Sequence, residues 1–86
     1  MEELLDLGFT KSGDKYTKQM GACTIEVEID DFEGIIAHAY MDKNQVPYYK
    51  SSYDLVISYD SVDIFRDRFN RDFDKWKTEM LNLFTE

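Results

Sequence analysis

Three observations predict an α+β fold for this chain of 86 residues: an antiparallel meander of four or five strands, with a short N-terminal helix and a long C-terminal amphipathic helix packed on one face. The first is Thr24-Ile25-Glu26-Val27-Glu28-Ile29-Asp30, where acids alternate with β-branched apolar residues. A strand sends successive side chains to opposite faces, so one face is core and the other a row of carboxylates. The second is a series of short runs joined by glycine-bearing turns. The third is the recurrence of Val62, Phe65, Phe69, Phe73, Trp76, Met80 and Leu83 or Phe84 at steps of three and four, one stripe of a helix.

The elements follow in order. Glu2 to Leu7 reads as a short helix, with Leu4, Leu5 and Leu7 on or near one face and Gly8 as a left-handed C-terminal cap. Phe9 to Lys11, the Ser12-Gly13-Asp14 tip and Lys15 to Met20 read as a tight hairpin, and Gly21 marks the next turn. Cys23 to Asp30 and Ile35 to Asp42 are two further strands joined by Asp31-Phe32-Glu33-Gly34. Asp42 to Ser52 is the one long connection, and Tyr53 to Tyr59 is the last strand, burying Tyr53, Leu55, Ile57 and Tyr59. The final helix starts at Asp60 or Ser61 as N-cap, with Asp63 complementing the dipole. Its charges balance, five acids against five bases from Ser61 to Phe84, and Asp67 with Arg71 and Lys75 with Glu79 are spaced as helical pairs. That face is solvated, and the aromatic stripe opposite it is core.

A single domain of this length buries roughly 60–65% of the surface its unfolded chain exposes. Its core is small, and six Phe, six Tyr and one Trp compensate, since each ring removes roughly 150–250 Å² from water. One cysteine, Cys23, excludes an intramolecular disulfide framework. The first residues lack the cationic start and apolar run of a secretory signal, which leads to an expected cytoplasmic location. No apolar run approaches the roughly 20 residues of a membrane span. A net charge of -8 argues against direct contact with nucleic acid or an anionic membrane, because binding phosphate needs clustered cations.

Candidates for chemistry are few. Pairing Ile29 with Ile35 puts Cys23 opposite Met41, pointing inward, and His38 opposite Glu26, pointing outward. A one-residue slip would bring His38 inward, but Ile36 and Tyr40 would follow it and leave Ile35 and Met41 exposed. In the preferred register Cys23 and His38 cannot form a nucleophile–base pair. Cys23 is then a small buried hydrophobe, and His38 a partner of Glu26. One His and one Cys give no zinc spacing, and Asp30-Asp31-Phe32-Glu33 lacks the calcium-loop pattern. Glu26 and Glu28 on an open face would both ionise rather than divide acid and base roles. No glycine loop cradles phosphate. The expectation is a protein that is not an enzyme and needs no cofactor and no metal.

What stands out is charge placement. From Gln19 to Asp42 the chain carries Glu26, Glu28, Asp30, Asp31, Glu33 and Asp42 but no Lys or Arg. One row of strand carboxylates repeats every ~6.6–6.8 Å, too sparse for a DNA strand with a phosphate per ~3.4 Å. A second row would have to come from Asp30, Asp31, Glu33, Asp54 and Asp60. The other distinctive group is Tyr40, Tyr48, Tyr49, Tyr53 and Tyr59 around the long connection. Val46-Pro47-Tyr48-Tyr49 reads as a contact loop, since tyrosine pairs an apolar ring with a polar tip. In composition and architecture the chain resembles the small acidic proteins with which phages block nucleases and other DNA-binding machines, of the anti-CRISPR or anti-restriction kind.

That resemblance implies a steric and electrostatic inhibitor whose partner is a protein with a basic surface. The expected partner-binding residues are Glu26, Glu28, Asp30, Asp31, Glu33, Asp54, Asp60, Tyr48 and Tyr49, in a monomer or homodimer. A homo-oligomeric accessory protein using the tyrosine loop and apolar sheet edges ranks second. An unrecognised enzyme or small-ligand binder ranks third.

Overall fold

In the computed structural model, which describes residues 2–30 and 34–84, the first helix α1 (Glu2–Asp6) ends where Gly8 takes φ +96°. That conformation lets the Gly8 and Phe9 amides bond back to the Leu5 and Leu4 carbonyls at 3.1 Å, a Schellman closure. The two residues it brings together, Leu4 and Phe9, are both buried. Lys18 completes the end of the helix, donating from Nζ to the Leu7 carbonyl at 2.8 Å.

The five strands are β1 (Thr10–Ser12), β2 (Lys15–Met20), β3 (Cys23–Ile29), β4 (Ile35–Met41) and β5 (Leu55–Tyr59). They form one antiparallel sheet in the order β1-β2-β3-β4-β5, so each strand pairs with its neighbours in sequence. Ile29 lies opposite Ile35, Glu26 opposite His38 and Cys23 opposite Met41, the preferred of the two registers. Asp30 anchors the β3–β4 connection by accepting the Gly34 amide on Oδ1 at 2.7 Å. A Cβ at Gly34 would stand 2.7 Å from Oδ2 of the same carboxylate, so a larger residue there would have to displace the Asp30 side chain. Asp31 and Glu33 fall outside the described residues.

The last helix, α2 (Val62–Phe84), begins with Ser61 as N-cap: its Oγ accepts the Ile64 amide at 3.3 Å. Its stripe is core, with Phe65, Phe69, Phe73 and Trp76 buried and Val62, Met80 and Phe84 packed at the margin. Phe65, Phe69 and Phe73 stack in series, with centroids 4.9 and 5.7 Å apart. Against them lie Ile25, Val27, Ile35, Ala37 and Ala39 of the sheet. The two alanines of β4 leave room for the rings. On the solvated face of α2 the ion pairs differ from the helical spacings. Arg66 bonds Asp63 at 2.8 Å and Arg71 meets Asp72 at 3.6 Å, in place of the expected Asp67–Arg71 and Lys75–Glu79 pairs.

The last strand is shorter than its hydrophobic pattern. Ser51–Tyr53 forms a 3₁₀ turn, so Tyr53 precedes β5 and its carbonyl accepts the Trp76 indole N–H at 2.8 Å. That bond ties the long connection to α2.

Candidate functional site

With both helices on the inner face, the opposite face of the sheet is open. It presents Lys15 and Thr17 of β2, Thr24, Glu26 and Glu28 of β3, Ile36, His38 and Tyr40 of β4, and Val56 and Ser58 of β5. Strand alternation alone produces this set. A chain of polar contacts crosses it. Lys15 Nζ lies 3.3 Å from Glu28 and 3.5 Å from Glu26, and the two carboxylates raise the lysine pKa, Glu28 contributing most. Glu26 also accepts the Tyr40 hydroxyl, which together with burial raises that tyrosine's pKa. The Tyr40 and His38 rings lie 5.2 Å apart, and His38 Nε2 meets Asp54 Oδ2 at 2.7 Å. Asp54 Oδ1 in turn accepts the Tyr49 hydroxyl at 2.5 Å.

Three sequence expectations change on this face. His38 pairs with Asp54 and not with Glu26, although Glu26 is its cross-strand neighbour, because Glu26 is held by Lys15 and Tyr40. Asp54 has only 16% of its side chain exposed, and both its oxygens are engaged inside the fold. It braces the long connection and offers no free carboxylate for a second row. Tyr49 leaves the contact loop for the core, 4% exposed and packed edge-on against Tyr53. Burial, reinforced by the Asp54 carboxylate, pushes its pKa well up.

Tyr48, by contrast, is 82% exposed at the mouth of an open groove between the connection and the end of α2, formed with Pro47, Tyr53 and Phe84. Cys23 and His38 are on opposite faces, and burial raises the pKa of the Cys23 thiol. Among the described residues no cluster of His, Cys, Asp or Glu could hold a metal ion. No helix among them is long and apolar enough to cross a membrane.

The strand register also reorganises the acids. Lys15 opposite Glu28 and Ile35 opposite Tyr59 place the β1–β2 turn, the end of β3, the end of β5 and the start of α2 at one end of the sheet. Asp14, Glu28, Asp30, Asp60 and Asp63 therefore converge at a pole, all of them exposed, rather than extending a ladder over the face. Lys15 is the residue that sequence reasoning missed. Its place was readable, since the two-residue Gly21-Ala22 turn pairs Met20 with Cys23, and counting back reaches Lys15 opposite Glu28. Asp54 carried no comparable signal, because the long connection leaves its position open. Two apolar side chains also stand on the outer face, as the strand alternation implies: Ile36 and Val56, exposed by 37% and 63%. They flank His38 in a shallow depression bordered by Lys15, Glu26 and Glu28.

Comparison with protein-family models, with curated proteins and with solved structures finds no match for the chain.

Proposed function

We propose that this protein is a non-enzymatic binding module whose acidic pole and adjoining outer sheet face dock on a basic surface of a protein partner. The observation that carries the reading is the juxtaposition of exposed Ile36 with Glu28 and Glu26, beside a pole holding Asp30, Asp60 and Asp63. Interfaces combine an apolar centre with a charged rim in this way: the apolar part supplies affinity, and the charges steer approach. The polar contacts that run from β2 through β3 and β4 to Asp54 hold the face in one geometry, which lowers the ordering cost of docking. A target surface that ordinarily binds nucleic acid has the matching charge, and blocking it requires neither catalysis nor cofactor.

The test uses a double variant, Glu28→Lys with Ile36→Arg, at two exposed positions. Partners captured from lysate by the wild-type chain should elute with salt, map by cross-linking to β3 and β4, and be lost to the variant while it still unfolds cooperatively from a folded state. Capture that is equal for both proteins overturns the reading.

A further inference from the structure

The two edges of the sheet are unlike. β1 is three residues long, fully exposed, carries Lys11 at its centre and ends in a tight turn, and a short charged edge discourages further pairing. β5 has none of these protections. Leu55-Val56-Ile57-Ser58-Tyr59 contains no charge and no proline, and pairs on one side only, with β4. Among the described residues no loop or helix backbone bonds to its free side. Leu55 and Ile57 are only half-buried there, above an open groove formed with Asp72, Lys75, Trp76 and Glu79 of α2, and Val56 is the most exposed apolar residue of the sheet. Five residues at ~3.4 Å each make an edge about 17 Å long, with unpaired N–H and C=O groups along it.

We infer that this edge is the interface for a second copy of the same chain, joined antiparallel through β5 into one continuous sheet of ten strands. Residues opposite each other in an antiparallel ladder share a face, which restricts the two-fold registers. Centring on Ile57 would set Asp54 against Asp60 of the second copy, like charge against like. Centring on Val56 sets Val56 against Val56, Leu55 against Ile57 twice, and Asp54 against Ser58. The second register covers the apolar residues that the single chain leaves open and brings no carboxylates together.

Charge distribution favours the same occupant. A net charge of -8 per chain opposes self-association, but antiparallel pairing sends the acidic poles to opposite ends of the dimer. Each pole then lies beside the other chain's long connection, where Lys43 and Lys50 are balanced by Asp42 and Asp54, rather than beside a second acidic pole. The inference does not depend on the proposed function, since the outer face stays open in the dimer.

Sedimentation equilibrium over a concentration series should give a species of twice the 10.2 kDa chain mass. Hydrogen exchange at the β5 amides should slow as concentration rises, a readout that needs no variant. Val56→Lys and Val56→Glu, each a change at an exposed site, should abolish the dimer separately, since like charges directly opposite repel. Mixed together they should restore it as a heterodimer. A wild-type chain that stays monomeric with concentration-independent exchange at β5 overturns the proposal. So does a dimer that survives either substitution, or a mixture that fails to reassociate.

Discussion

Tyr49 and Tyr59 each bury an aromatic ring and point a hydroxyl at a carboxylate, Asp54 and Asp72 respectively. Both pKa values are raised above the ordinary value near ~10, chiefly by burial and then by the carboxylate. The folded chain therefore holds these protons more tightly than the unfolded chain does. Their stabilising contribution is complete below about pH 10 and is lost as pH climbs through that value toward the folded pKa values. Urea titrations followed by Trp76 fluorescence should show stability falling above pH 10. A Tyr49→Phe, Tyr59→Phe double variant should show a shallower fall. An equal slope in both proteins would place the alkaline transition elsewhere. Tyr48, next in sequence to Tyr49, shows why residue type alone could not assign these roles. The two have the same chemistry and differ only in which way a turn of the long connection points them.

At the scale of elements, α2 is the piece on which the inner face depends. Trp76 packs on Phe73 and donates to the Tyr53 carbonyl, so it joins helix, connection and core. Trp76→Ala should cost about 3–5 kcal/mol, a large part of the ~5–15 kcal/mol that holds a typical domain. Thermal melting is the measurement, and an unchanged midpoint would contradict the assigned packing. This helix was legible in the sequence because seven apolar residues repeat at its period, and β3 and β4 were legible because the register that covers Ile35 and Met41 is preferred over the one-residue slip that would expose them. The connection from Asp42 to Asp54 was not. Its fold rests on isolated bonds, the local one from Tyr49 to Asp54 and the long-range one from Trp76 to Tyr53, which leave no periodic trace. The candidate site was half legible for the same reason: Glu26 and Glu28 follow from alternation, whereas the pairing of His38 with Asp54 depends on where that connection ends.

For the whole molecule, the relevant quantity is the field around the acidic pole. Lys15 is the cation closest to the β3 carboxylates and offsets two of them. Lys15→Met removes that positive charge and keeps an extended apolar stem on the strand. Association with a basic partner should become faster and more salt-sensitive, because steering charges act mainly on the on-rate. Stopped-flow association at several ionic strengths is the check, and an unchanged or slower rate would show that the pole does not steer.

The unbranched strand order has a consequence for how the chain acquires its shape. Every ladder joins neighbours in sequence, so the sheet can zip from one hairpin to the next with short loop closures, the kind of topology that folds quickly. The surface that this zipping creates, Ile25, Val27, Ile35, Ala37 and Ala39, has its cover in α2, which the ribosome delivers after all five strands. During synthesis the sheet therefore waits with its greasy side bare. A chain truncated before Val62 should be aggregation-prone, because it lacks the helix that covers this face.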